Sequence, residues 1–96
     1  MIHDLKCWPN EFEEIRIGAK SFDVRYQDPG SQRRYEGGDV LHLEEFDPEQ
    51  GDYTGREQNV QITKVLRLWE TPREWNLHGH GFVVVMAIKR LSEVPR

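Results

Sequence analysis

The stretch G-A-K-S-F-D-V-R, residues 18–25, decides how this chain is read. Lys20, Ser21, Asp23 and Arg25 crowd into six positions, with Phe22 and Val24 between them. Carried on to Tyr26 and Gln27, the alternation has a period of two, which predicts a strand with one apolar face and one polar face. The apolar face, Phe22, Val24 and Tyr26, is expected to fill a core. The polar face then points outward, with Ser21, Asp23 and Arg25 on one side, because residues i and i+2 of a strand project together about 6.5–7 Å apart. Gly18 marks the point where the preceding element stops.

That element reads as one short helix over W-P-N-E-F-E-E-I-R-I-G, residues 8–18. Pro9 suits the first turn, where its missing N–H costs nothing. Glu11, Glu13 and Glu14 favour the positive end of the helix dipole and Arg16 the other end. Trp8, Phe12 and Ile15 fall at i, i+4 and i+7 and predict one apolar stripe, with Trp8 as an anchor of the helix. Gly18 is placed to end the helix in a left-handed conformation. Upstream, Ile2 to Cys7 suits a first strand. Downstream, Q-D-P-G-S-Q-R-R-Y-E-G-G is a loop by its Pro and Gly content. Val40 to Phe46 reads as a strand, D-P-E-Q-G as a turn, and Tyr53 to Leu66 as the longer returning strand. Residues 67–81 read as irregular, with a helical turn after Thr71-Pro72. Phe82 to Ile88 is wholly apolar and valine-rich, and is expected to be a strand buried on both faces. The fold class is therefore α+β, mainly β: a small sheet curled into a barrel, with one N-terminal helix and short helical turns.

Length and charge bound the function. The 96 residues make one domain, 1–96, with a single core. No run approaches the roughly 18 apolar residues of a membrane span, and the first residues lack a signal-peptide pattern. A single cysteine, Cys7, excludes an internal disulfide and a cysteine-built zinc site. The expectation is a reduced, cytoplasmic protein with Cys7 packed inside. The net charge of −4 argues against charge-driven binding to long DNA. The charge is unevenly spread, however. Residues 16–35 hold five bases against two acids, a balance of +3, whereas residues 36–57 hold one base against eight acids, a balance of −7. A basic face for an anionic ligand is compatible with that distribution, and the acidic run reads as the solvated ends of a hairpin.

The polar face of residues 20–25 admits two readings. It is either a surface ion pair, worth about 0–1 kcal/mol, or the floor of a site. In the second reading a lysine beside another cation in a partly dry pocket loses its proton more easily and serves as base or nucleophile. Asp23 then orients it or moves a proton, Arg25 holds an anionic or carbonyl oxygen, and Ser21 donates a hydrogen bond. Tyr35, Tyr53, Trp69 and Trp75 are either base-stacking platforms or loop and core anchors. Arg33 and Arg34 either meet phosphate or are solvated loop charge. H-G-H-G, residues 78–81, supplies only two histidines where zinc wants three or four ligands. His3 and His42 are distant in sequence, so no metal is assigned and a tight turn is expected there.

The same stretch resembles the G-x-K-[ST]-x-E-x-R signature of ASCH domains, in the PUA-like superfamily. Gly18, Lys20, Ser21 and Arg25 are in place, and Asp23 stands for the usual Glu. H-D-L-K-C-W-P-N-E-F (3–12), G-G-D-V-L-H-L (37–43), E-F-D-P-E-Q-G-D-Y-T-G-R (45–56) and V-V-V-M-A-I-K-R-L (83–91) are similar to a bacterial and phage branch catalogued as domain of unknown function 3850. The resemblance implies a PUA-like β-barrel with a cleft beside the signature and a role in binding RNA, a nucleotide or a modified nucleoside. It implies no cofactor, no membrane and no particular oligomeric state. The ligand set it suggests is Lys20, Ser21, Asp23 and Arg25; by residue type, and not by the signature, Arg33, Arg34, Tyr35 and Trp75 join them as candidates. One small ASCH enzyme hydrolyses the amide of N4-acetylcytidine with a lysine, a threonine and a glutamate. Its lysine corresponds to Lys20, and its threonine stands where this chain has Asp23. If this chain is an enzyme, Lys20 and Asp23 are its catalytic candidates. The glutamate has no counterpart by motif; Glu57, Glu70 and Glu74 match by type alone. An interaction domain without a small ligand is the third reading.

Overall fold

The computed structural model describes residues 1–27, 34–68 and 82–91. Six elements follow one another: β1 (Ile2–Cys7), α1 (Pro9–Arg16), β2 (Phe22–Gln27), β3 (Val40–Asp47), β4 (Asp52–Arg67) and β5 (Phe82–Leu91). The helical turn expected after Thr71-Pro72 lies outside the described residues, and α1 is the one α-helix among them. No helix among the described residues is long and apolar enough to cross a membrane.

The five strands form one mixed sheet in the order β1-β3-β4-β5-β2. β1 and β3 run parallel, from Ile2 beside Val40 to Cys7 beside Glu45. All other neighbours are antiparallel. The sheet curls through 194°, a half-barrel with one N-terminal helix. Two irregularities of register accompany that curl, between Glu44 and Phe46 and between Ile62 and Lys64. An extra residue on one strand bends it and sharpens its twist. The hairpin of β3 and β4 turns at residues 48–51, where Gly51 takes φ 69° and donates its N–H to the Asp47 carbonyl at 2.8 Å.

The core lies in the concavity. Leu5 and Cys7 of β1, Leu41 and Leu43 of β3, Val60 and Ile62 of β4, and Val84, Met86 and Ile88 of β5 all project inward. α1 lays Phe12 and Ile15 onto them, both buried. Only these two of the three expected stripe residues reach the core. Trp8 precedes the first turn, with extended φ/ψ of −64° and 152°, and it stays 51% exposed. Its ring packs on Phe46 instead, with centroids 5.6 Å apart. The helix stops as expected. Gly18 takes φ 81°, and the N–H groups of Ile17, Gly18 and Lys20 satisfy the carbonyls of Glu13, Ile15 and Glu14.

β2 corrects the sequence reading in an instructive way. The alternation is present, but the faces are exchanged. Phe22, Val24 and Tyr26 are 47%, 49% and 53% exposed, while Asp23 is 4% exposed. The reason is register. Asp23 stands opposite Met86 and Arg25 opposite Val84, and the side chains of Met86 and Val84 are fully buried. Pairing with β5 therefore turns the polar pair into the concavity and the apolar trio out of it. β5 is corrected too. It is not buried on both faces: Val84, Met86 and Ile88 are buried, Val83 and Val85 half-buried, and Ala87 exposed. In the acidic run Glu45 departs from the expected solvated hairpin end. It is buried, accepts from Thr54 Oγ1 at 2.6 Å and lies 3.7 Å from Arg56 Nη1.

Candidate functional site

The edges of the half-barrel are β1 and β2, and a cleft of about 900 Å³ opens where they approach each other. One wall is the end of β1 running into α1, with Lys6, Cys7, Trp8, Glu11 and Glu14. The other is the turn and strand from Ala19 to Arg25. The opening is pinned from within: Arg25 Nε donates to Asp23 Oδ2 at 2.7 Å, and Arg25 Nη1 donates to the main-chain carbonyl of Lys6 at 3.0 Å. A strand at a sheet edge has free main-chain groups. Arg25 uses one of them to bridge the two edges.

Lys20 sits at the rim. Its ammonium pairs with Glu11 Oε2 and lies 5.2 Å from the centroid of the Phe22 ring. The sequence reading placed a second cation beside Lys20; the structure puts a carboxylate in contact with it. Cys7, at the end of β1, is buried. Burial, and next the charge of Asp23, push its thiol up to about 11. Such a thiol carries little thiolate near neutrality. We expect an aromatic disulfide reagent at pH 8 to label native protein roughly a hundredfold more slowly than urea-unfolded protein, or slower still. Equal rates would show that Cys7 is accessible and reactive.

Lys20, Asp23 and Arg25 thus line one hollow. Ser21 does not share it. It lies just before β2 begins and lines a separate small hollow behind the turn. Tyr35 is buried beside His3, with ring centroids 4.8 Å apart, near the start of β1, whereas the cleft lies at its end. Its carbonyl accepts a hydrogen bond from Arg67 Nη2. Arg34 is exposed and paired with Glu36. Tyr53 packs edge-on against Phe46 at 5.2 Å. Arg33, Trp69, Glu70, Glu74, Trp75, His78 and His80 lie outside the described residues.

Lys6, Trp8, Glu11 and Glu14 line the cleft without standing in the set that the sequence suggests. In sequence Trp8 reads as an anchor of the helix, and Glu11 and Glu14 as contributors to its dipole. Glu11 and Glu14 are three apart on the flank of the helix beside Phe12 and Ile15, a spacing visible in sequence. Which flank would face β2 is set by long-range packing, which the sequence does not display.

Metal-type ligands gather elsewhere. On the convex face Asp4, His42 and Glu44 bring three donor atoms within 4.8 Å of one another. Both His42 nitrogens are already engaged, with Asn59 Oδ1 at 2.6 Å and Glu57 Oε2 at 2.9 Å. The Asn59 bond first, and the Glu57 carboxylate with it, raise the His42 pKa above its ordinary value. An ion bound there would have to displace one of those partners.

Compared with known families, residues 2–79 match the family model described as Domain of unknown function (DUF3850). None of the curated proteins matches the chain.

Proposed function

The chain belongs to the DUF3850 family, which is classified within the ASCH/PUA-like superfamily, and from that premise we propose that it binds RNA, a nucleotide or a modified nucleoside in the cleft beside Lys20, Asp23 and Arg25. The half-barrel is, in this reading, a PUA-like barrel formed by one domain. The observation that carries it is the composition of the cleft. Among the described residues its three acids, Glu11, Glu14 and Asp23, balance its three bases, Lys6, Lys20 and Arg25. A neutral ligand with polar edges suits such a lining better than a highly charged one.

A nucleobase has that character. The half-exposed Trp8 ring offers a face for stacking, worth about 1–3 kcal/mol. Asp23 supplies acceptors and Arg25 donors for the edge of a base. The net charge of −4 favours a single nucleotide or a short single strand over a long duplex.

A second reading rests on Glu11. A lysine and a carboxylate in contact, with Asp23 in the same cleft, are the groups that hydrolysis of an acylated base would use. Water would add its hydroxyl to the acyl carbon of N4-acetylcytidine. The C–N bond would break, and the second proton would pass to the amine with Glu11 as carrier and Lys20 holding the oxyanion.

Calorimetric titration of nucleosides, their monophosphates and short RNAs tests both. A ligand is expected whose affinity falls by about 1–3 kcal/mol in Trp8→Ala, with N4-acetylcytidine unchanged on incubation. Consumption of N4-acetylcytidine that Lys20→Ala abolishes would install the enzyme in its place. Silence in every titration would leave an interaction domain.

A further inference from the structure

Behind the turn that carries Lys20 lies a second hollow, of about 130 Å³. It has room for roughly four waters, the size class of a phosphate group and too small for a nucleoside. Its floor is apolar, with Ile15 and Ile88, and its walls carry Lys20, Ser21, Lys89 and Arg90. No acidic residue among the described residues lines it. Lys89 and Arg90 have no acidic partner among the described residues, whereas Arg16, Lys20, Arg25, Arg34, Arg56 and Arg67 all have one. At the end of the helix beside the hollow, the carbonyls of Glu13, Glu14 and Ile15 each accept a main-chain N–H. Arg90 stands opposite the buried Val60 and on the same face of β5 as Ile88. Arg90, Lys20 and the Ser21 hydroxyl therefore meet over an apolar floor, while Lys89 projects from the other face. Arg90, with no acidic partner among the described residues, makes this a lining suited to an anion. The main cleft is charge-balanced, this hollow is not, and Lys20 lines both.

We propose that this hollow is a phosphate subsite. Resting on the nucleotide reading above, it takes the phosphate of the ligand whose base occupies the cleft, the two halves meeting at Lys20. The ligand class is then a nucleoside phosphate, or one nucleotide within a single strand, rather than a free nucleoside.

Titration of 15N-labelled protein with inorganic phosphate tests the subsite without any base. Saturable shifts are expected at the amides of Ser21, Lys89 and Arg90, and their loss in Arg90→Ser and in Ser21→Ala. Lys64→Gln, which removes an exposed cation lining neither the cleft nor this hollow, is expected to keep them. Linear, unsaturable shifts, or saturation that survives both variants, would overturn the proposal. Calorimetry with the four ribonucleosides, their 5′-monophosphates and matching dinucleotides extends the test. A monophosphate is expected to bind about tenfold more tightly than its nucleoside, and Arg90→Ser to erase that difference while sparing the nucleoside. A gain confined to the monophosphate identifies a mononucleotide; one shared by the dinucleotide identifies a strand backbone. Saturable phosphate binding with no nucleoside response would sustain the subsite and defeat the base-binding reading. A nucleoside response with no gain from phosphate would defeat the subsite alone.

Discussion

Phe12→Ala is expected to remove about 3–5 kcal/mol of folding stability and, with it, binding in the cleft. α1 is eight residues long, too short to hold itself together in water. It is held by what it buries. Phe12 and Ile15 are each 1% exposed against the concave face of the sheet. The Phe12 ring also carries the Arg56 guanidinium at 4.9 Å, and its carbonyl accepts from Gln58 Nε2 at 2.8 Å. Truncation to alanine leaves a void that the curled strands cannot close, since their main chains are fixed by the ladders on either side. The same eight residues and their cap supply Trp8, Glu11 and Glu14 to one wall of the cleft. Loss of helix and loss of site are therefore one event. Urea denaturation reads the first and calorimetry with a ligand of the wild type reads the second. A loss below about 1 kcal/mol would mean that the helix is anchored by something other than Phe12. Phe12→Leu, which keeps most of the volume, is expected to retain most of both properties.

How far the sequence discloses this arrangement depends on whether the cue is local. Pro9 and Gly18 bound a helix by chemistry that acts within a few residues, and α1 lies between them. The turn at residues 48–51 is set by Asp47 and Gly51 in the same way. The facing of β2 is a different kind of fact. Polarity is the usual guide to which side of a strand meets water, and here it misleads. Asp23 and Arg25 can turn inward because each neutralises the other and Arg25 finds the Lys6 carbonyl. Phe22, Val24 and Tyr26 are left outside because β5 has its own inward set in Val84, Met86 and Ile88. Nothing within residues 18–27 records that register. The contact between Lys20 and Glu11, nine residues apart, depends likewise on which flank of the helix the turn folds against, and no single residue marks that. The signature pointed to Lys20, Asp23 and Arg25 as a group. It could not announce that they lie along an open seam between two edge strands, since that depends on a sheet order in which β1 and β2 are the outermost members.

Arg25→Ala separates what this pair does for the fold from what it does for a ligand. Asp23 is 6% and Arg25 24% exposed in their side chains. Removing one partner of a buried pair leaves the other charged and poorly solvated, at a cost of about 3–5 kcal/mol. The low end of that range is expected, because Arg25 is partly open to water. The seam also loses its bridge to Lys6. A fall in ligand affinity in this variant would therefore be ambiguous taken alone. The double variant Asp23→Leu, Arg25→Met resolves it. Apolar side chains of similar volume remove both charges together, and such exchanges of buried pairs are often neutral or stabilising. Stability by urea denaturation is expected to return to within about 1 kcal/mol of the wild type, a positive coupling of the two sites in the mutant cycle. Binding is expected to stay lost, because the acceptors and donors proposed to meet the base are gone. If the double variant recovered stability and affinity alike, the pair would be scaffolding and the ligand would have to be held by Trp8 and Lys20. If it recovered neither, the guanidinium clamp on the Lys6 carbonyl, rather than compensation of charge, would be what holds the two edges of the half-barrel together.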